Sequence, residues 1–276
     1  MTGALFSLMS MAISGRELSA ELGTFEILFI RSVIGLIIIC LLLTIYGWDQ
    51  VKTRQFGWHM IRNVTHFGGQ YGWFYGIAII PLAEVFAIEF TVPLWTGILA
   101  VLLLGEQMTR PRALAIVLGI AGVLIILRPG FAVINMASFI VLLSALGYAV
   151  SHTLTRKLAF TDTPLAILFY MIIIQLPLGL LPALNQWVTP SAAMWPWLVL
   201  VGLSGLSTHF CISKAMQHAD ATVVVPMDFL RLPLIAVVGY LFYQEPISAY
   251  VLLGGIVMFT GNSINLYSEQ RKRVRS

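Results

Sequence analysis

Long apolar segments recur along the whole chain and are separated by short polar connections. Cutting the sequence at charged residues, prolines and glycines gives ten such segments: about 1–14, 24–45, 58–80, 82–104, 112–128, 135–155, 164–185, 195–216, 221–243 and 247–267. A helix needs about 20 mostly apolar residues to cross roughly 30 Å of hydrocarbon. The pattern therefore predicts an all-α integral membrane protein with ten transmembrane helices, of which the first is short.

Composition excludes several function classes. Of the 276 residues, 59% are hydrophobic and 10% are charged, whereas soluble proteins have about 45–50% and about 25%. A soluble enzyme, a disordered chain and a nucleic-acid-binding domain are therefore excluded. The sequence has no nucleotide-binding glycine loop, no nucleophile elbow and no metal-ligand spacing. We expect no enzymatic activity, no cofactor and no metal.

Lysine and arginine are unequally distributed between the two sides of this ten-helix arrangement. With both termini inside, only Arg16 and Arg128 lie in outer connections. The inner connections and the tail hold Lys52, Arg54, Arg110, Arg112, Arg156, Lys157, Lys214, Arg271, Lys272, Arg273 and Arg275. Cytoplasmic loops carry an excess of basic residues, so we expect a protein of the bacterial inner membrane with both termini in the cytoplasm.

The two halves of the sequence resemble each other at an offset of 139 or 140 residues. Coincident pairs include Arg16/Arg156, the Ile-Leu-Phe triplets 27–29/167–169, Glu89/Asp228 and Glu106/Glu245. Each half holds five predicted helices, an odd number, so the second half enters the membrane from the opposite side. We predict an inverted repeat, 1–130 and 131–276, the second with a basic cytoplasmic tail. The repeat places the natural start about five residues before Met1.

Four charged side chains lie deep in predicted helices, where insertion costs about 2.5–3.5 kcal/mol each. Arg31 and Glu89 are at equal depth from the outer side, so we expect them to form an ion pair. The pair is either structural or opens to accept a charged substrate or a proton. Asp228 and Arg231 are three residues apart on one helix face, and Pro93 is expected to kink the helix of Glu89.

Histidines and aromatic residues also lie within the predicted helices. His66 and His209 are near the depth of Asp228, so they are either packing residues or partners in proton coupling. Three aromatic residues lie well inside their helices, where they either fill the core or stack on an aromatic or cationic substrate. They are Trp73, Trp95 and Tyr148.

Two polar residues near inner helix ends are expected at the membrane interface. Arg62 is four residues into its helix and can extend to the inner headgroups. His152 lies near the inner end of the sixth helix. Neither is assigned to the substrate site.

Three glycines repeat every four residues in the third predicted helix. Gly68, Gly72 and Gly76 would form a groove that lets another helix approach closely. The groove serves either a contact within the chain or a homodimer, and the sequence leaves both open.

Two segments resemble a known family. Pro81–Leu94, PLAEVFAIEFTVPL, with LLGE ending at Glu106, resembles the helix-4 signature of the EamA family in the drug/metabolite transporter superfamily. Ala219–Thr222, the Val-Pro pair at 225–226 and the Glu-Pro turn at 245–246 resemble its second copy. The resemblance spans essentially the whole chain. It implies a ten-helix fold with helices 1–4 and 6–9 around a central cavity, and a transporter of amino acids, nucleotide-like metabolites, vitamins or amines.

These observations predict a secondary transporter that moves a small polar or zwitterionic metabolite by alternating access, driven by proton coupling or exchange. Its partners are the small-molecule substrate and membrane lipids, and no nucleic acid is expected. The alternative is a flippase-like carrier of an amphiphilic or lipid-linked substrate. A membrane enzyme acting on lipid is a third reading, and the spread of ionisable residues over five helices argues against it.

Overall fold

The computed structural model describes residues 2–105, 107–127, 135–218 and 231–275. This part of the chain is helical and contains no strand, which confirms the all-α fold class. Its α helices are α1 (Thr2–Leu18), α2 (Thr24–Tyr46), α3 (Phe56–Ile79), α4 (Leu82–Glu89), α5 (Val92–Leu104), α6 (Arg110–Leu127), α7 (Met136–Leu158), α8 (Pro164–Ala183), α9 (Trp195–His218), α10 (Arg231–Tyr243) and α11 (Ala249–Arg275).

Each helix overlaps one of the ten predicted apolar segments, and the fourth segment holds both α4 and α5. The first and last helices extend beyond their predicted segments, to Leu18 and Arg275. Within the described ranges, six segments are long and apolar enough to cross a membrane: Thr24–Tyr46, Leu82–Leu103, Met136–Leu158, Pro164–Gln186, Ala192–His218 and Ala249–Ser268. Many large apolar side chains on the outer helix faces are exposed, among them Ile45, Leu102 and Phe242. Such extensive apolar exposure is typical of a surface that contacts lipid rather than water.

Helix packing follows a regular scheme. The most extensive contacts join α3 to α7, α6 to α11, α1 to α9 and α2 to α8, and α4 packs on α10. Each of these contacts joins a helix from the first half of the sequence to one from the second half. The centre of the molecule is therefore an interface between the two halves.

The fourth apolar segment is broken at Phe90 and Thr91, between α4 and α5. Pro93 is at the first turn of α5, where its missing N–H does not weaken the helix. A continuous helix would need that N–H to bond the carbonyl of Glu89, four residues back. The proline thus explains why α4 ends at Glu89. The kink that was predicted at Pro93 is a complete break between two helices.

Close approach of α3 and α7 depends on glycine. A Cβ on Gly72 would lie 2.9 Å from Ile140 Cγ2 and 3.1 Å from the Ile140 carbonyl oxygen, and one on Gly76 would overlap Val141. Gly69 is equally close to α7, whereas a Cβ on Gly68 would meet nothing within 4 Å. The predicted groove is therefore an intramolecular contact at Gly72 and Gly76. Gly68 lies on the exposed face of α3, so its inclusion in the groove was wrong, and the neighbouring Gly69 contacts α7 instead.

Two polar clusters tie connections together at the helix ends. Near the end of α1, Arg16 Nη2 lies 2.8 Å from Glu245 Oε1, and Glu245 Oε2 accepts the backbone N–H of Leu82 at 2.8 Å. At the start of α3, His59 Nε2 lies 2.7 Å from Asp162 Oδ2, and both side chains are buried. Each cluster joins elements from both halves of the sequence.

Candidate functional site

A buried cavity lies at mid-length of the helices where α1, α3, α4, α7 and α9 meet. Its volume is about 40 Å³, below the roughly 300–1,000 Å³ typical of small-molecule sites, so the surrounding helices would have to separate to admit a metabolite. The lining residues are Leu8, Met11, His66, Gln70, Trp73, Glu89, Tyr148, His152, Thr208, His209 and Ile212. The combination of aromatic walls and a few polar groups is suited to an organic metabolite.

One end of the cavity is acidic and is formed by Glu89 at the terminus of α4. Its Oε2 accepts the indole N–H of Trp73 at 2.9 Å, and its Oε1 lies 3.4 Å from Nη2 of Arg231. This 3.4 Å separation exceeds the usual 2.7–3.2 Å of a strong hydrogen bond. The predicted Arg31–Glu89 pair does not form, because Arg31 is directed from α2 toward Gln70 and Glu89 faces α10.

The opposite end carries a chain of polar side chains that starts at Arg31. Both Arg31 terminal nitrogens donate to the Gln70 side-chain oxygen, Nη2 at 2.8 Å, and the Gln70 amide donates to Gln175 Oε1 at 2.9 Å. Gln175 Nε2 then lies 2.8 Å from His66 Nδ1 and donates to the Asn63 carbonyl at 3.2 Å. Arg31 is buried, and among the described residues no carboxylate neutralises it.

Rings cluster at the centre of the cavity. The His66 and His209 centroids are 4.6 Å apart at an interplanar angle of 76°, and Tyr148 lies 5.4 Å from His66. His66 Nε2 is buried and has no hydrogen-bond partner within the part of the chain described. The Thr208 hydroxyl is in the same situation. Both groups are free to bond a ligand that enters the cavity.

Comparison of the sequence with known protein families identifies its family. The profile of the EamA-like transporter family matches residues 1–128 and again residues 135–267. The chain belongs to the EamA-like transporter family. The two matches cover both halves of the sequence, and the protein is a multi-pass membrane protein of the drug/metabolite transporter superfamily.

Several transporters are similar to this member of the EamA-like family along most of their length. An S-adenosylmethionine uptake transporter of Rickettsia prowazekii is 28% identical over 97% of this chain and 92% of its own. A riboflavin transporter of Vibrio cholerae is 29% identical over 87% and 82%. A pseudopaline exporter of Pseudomonas aeruginosa is 28% identical over 92% and 89%. The relatives thus include both uptake and export proteins.

The fold also occurs among solved structures. One crystal structure of a protein superposes with a TM-score of 0.74, covering 98% of this chain and 96% of that chain at 16% identity. At this identity the likeness shows the fold alone. It extends over the entire EamA-like chain rather than one half.

The predicted site residues fall into three groups in the EamA-like chain. His66, Trp73, Glu89, Tyr148 and His209 line the cavity together. Beyond the cavity wall, Arg231 reaches Glu89 and Arg31 reaches Gln70. Trp95 is not among the lining residues and packs against the hydrophobic core. Asp228 lies outside the described residues.

Two of the interface predictions were wrong. His152 lines the cavity instead of lying at the membrane interface. Arg62 is 2% exposed and does not extend to headgroups: its Nε donates to Thr155 Oγ1 at 3.0 Å and its Nη1 to Asn63 Oδ1 at 2.5 Å. Arg62 thereby joins α3 to Thr155 of α7.

Neutral polar residues were missed because the sequence search considered ionisable groups. Gln70 lies on the same face of α3 as His66 and Trp73, because it is four residues after His66 and three before Trp73. His152, an ionisable residue that was expected at the interface, likewise follows Tyr148 by one turn. Helical spacing from known candidates could have found both, whereas nothing in the sequence connects Gln175 to them. In the described ranges, no group of three His, Cys, Asp or Glu side chains could hold a metal.

Proposed function

We propose that this protein is a secondary active transporter of the bacterial inner membrane that carries a zwitterionic organic metabolite through the central cavity. The substrate moves by alternating access, and proton coupling or exchange drives the movement. The observation that carries the proposal is the cavity between the two halves, which is lined by Glu89 and by Gln70 and His66 of the polar side chains that start at Arg31.

Inverted repeats support alternating access, because two copies of opposite orientation can exchange conformations. Helix ends recur at the sequence offset: α1 ends at Leu18 and α7 at Leu158, while α2 begins at Thr24 and α8 at Pro164. The helix contacts also obey the repeat. Exchanging the halves converts the α1–α9 contact into the α7–α3 contact, and α2–α8 and α6–α11 into themselves. We propose ten spans, with α4 and α5 counted as one.

The two ends of the cavity favour a substrate that carries both signs of charge. Glu89 is only partly buried, with 12% of its side chain exposed, and its contact with Arg231 is long. A cationic group of the substrate can therefore compete with Arg231. Trp73 and Tyr148 offer aromatic surfaces to a flat or cationic group. The names of the relatives, S-adenosylmethionine and riboflavin transporters, are consistent with a substrate of aromatic character.

Ligand-induced stabilisation of the purified protein in detergent tests the proposal. The panel contains amino acids, nucleosides, polyamines, S-adenosylmethionine and flavins. A ligand at 100 times its Kd stabilises the folded state by about 2.7 kcal/mol. We expect a cationic or zwitterionic compound to stabilise the wild type and to lose about 10- to 100-fold in affinity in Glu89→Gln, which removes a charged hydrogen-bond acceptor.

Asp49→Asn is the matched control, because Asp49 is exposed in a connection and pairs only with Lys52 in the described chain. It removes the same charge and should leave binding unchanged. Equal binding by Glu89→Gln and the wild type would refute the role of Glu89. Stabilisation by amphiphiles alone would favour the flippase-like alternative.

A further inference from the structure

The side chains between Arg31 and the cavity can be oriented in only one way. Arginine has donors and no acceptor, so Gln70 must present its oxygen to Arg31. The Gln70 nitrogen is then left facing Gln175 Oε1 at 2.9 Å. Gln175 consequently presents its nitrogen to His66 Nδ1 at 2.8 Å.

An independent contact gives the same orientation. Gln175 Nε2 also lies 3.2 Å from the Asn63 backbone carbonyl, which can only accept. Reversing the Gln175 amide would place its oxygen against that carbonyl. The orientation of the Gln175 amide is therefore fixed by the Asn63 carbonyl as well as by Arg31.

The orientation of the Gln175 amide determines the tautomer of His66. A ring nitrogen that accepts a hydrogen bond is unprotonated, so the single proton of the neutral ring must be on Nε2. Nε2 is buried, lines the cavity and has no partner among the described residues. In this series of hydrogen bonds every donor points from Arg31 toward the cavity. Hydrogen bonds aligned in this way polarise one another.

We propose that Arg31, through Gln70 and Gln175, fixes His66 as a neutral ring whose Nε2–H binds a carboxylate of the substrate. This inference rests on the proposed function, in which the cavity is the substrate site. His66 is the binding residue, and Arg31, Gln70 and Gln175 are positioning residues. The Arg31 guanidinium stays outside the cavity wall, and the substrate carboxylate binds the His66 Nε2–H instead.

Gly205 supports the positioning role of Arg31. A Cβ at this position of α9 would lie 2.6 Å from Arg31 Nη2 and 2.9 Å from Cζ. The absence of a side chain at 205 leaves room beside α9 for the guanidinium, whose terminal nitrogens donate to Gln70. A side chain at 205 would therefore displace the Arg31 guanidinium from this position.

The tautomer is tested directly by nitrogen-15 NMR of histidine-labelled protein, with His66→Gln used to assign the signal. We expect a neutral ring protonated at Nε2 in the wild type. In Gln175→Glu, a carboxylate faces Nδ1, so the proton should move to Nδ1. A wild-type ring that carries its proton on Nδ1, or on both nitrogens at neutral pH, would overturn the inference.

Binding tests the carboxylate. The probes are S-adenosylmethionine and its decarboxylated analogue, which differ only in that group. In the wild type the carboxylate should improve affinity about 10- to 100-fold, the range for a hydrogen bond to a charged group. Gln175→Glu should abolish this difference, and Gln186→Glu, which adds the same charge at an exposed position, should retain it.

The two proposals fail in different ways. If neither these probes nor any other zwitterionic compound of the panel binds the wild type, the proposed function and the carboxylate assignment are both refuted, while the NMR result still decides the tautomer. In a second outcome, S-adenosylmethionine binds while Gln175→Glu keeps the wild-type difference in affinity between the two probes. That result refutes the carboxylate assignment to His66 and leaves the proposed function standing. His66→Phe, which has no donor, should lose the discrimination in the same way as Gln175→Glu.

Discussion

Two glycines one turn apart on α3 allow the α3–α7 packing to be measured. Gly72 faces α7 at a distance where a Cβ would be 2.9 Å from Ile140 Cγ2 and 3.1 Å from its carbonyl oxygen. A Cβ on Gly68 would meet nothing within 4 Å. Alanine at either position should gain the same helix propensity, about 0.5–1 kcal/mol. The difference between the two variants therefore isolates the packing contribution.

Inserting a methyl group into a close-packed contact costs about 1–3 kcal/mol. We expect Gly68→Ala to be neutral or stabilised, and Gly72→Ala to be less stable than Gly68→Ala by about 1–3 kcal/mol. The measurement is reversible unfolding of both purified variants in mixed detergent micelles, followed by helical circular dichroism. Equal stability of the two variants would show that α3 and α7 do not approach as described, and would remove the basis for the cavity geometry.

The two polar clusters at the helix ends give further predictions. Glu245→Gln should destabilise the protein by about 1–3 kcal/mol, because Arg16 loses a charged partner at 2.8 Å and the Leu82 N–H a charged acceptor. Thermal unfolding measures this, and an unchanged midpoint would contradict it. Asp162→Ala should cost about 1–3 kcal/mol, since buried His59 loses its partner. Denaturant unfolding that matches the wild type would refute the second prediction.

Local sequence signals predicted the helices and their repetition. Segment length and hydrophobicity are properties of consecutive residues, so the ten apolar segments could be located without knowing their neighbours. The repeat at 139–140 residues reappears in the helix ends at Leu18 and Leu158. Pro93 predicted the distortion at Glu89 because its effect on the backbone is local.

Partners across helices could not be predicted in the same way. Sequence gives the depth of Arg31 and Glu89 in the membrane, but not the direction in which each helix face points. The equal depths suggested a pair, yet Arg31 reaches Gln70 and Glu89 reaches Arg231. The shift from Gly68 to Gly69 in the α7 contact has the same origin, since one residue rotates the helix face by about 100° at 3.6 residues per turn.

Counterflow in proteoliposomes tests the central claim most directly, because it requires both binding in the cavity and movement across the bilayer. Vesicles loaded with unlabelled S-adenosylmethionine, which carries both signs of charge, are exposed to the radiolabelled compound. We predict counterflow of a zwitterionic substrate by the wild type and by Asp49→Asn. It should be lost in Glu89→Gln, alone and with Asp228→Asn, in variants that still fold. Full counterflow by the folded double variant would contradict the account.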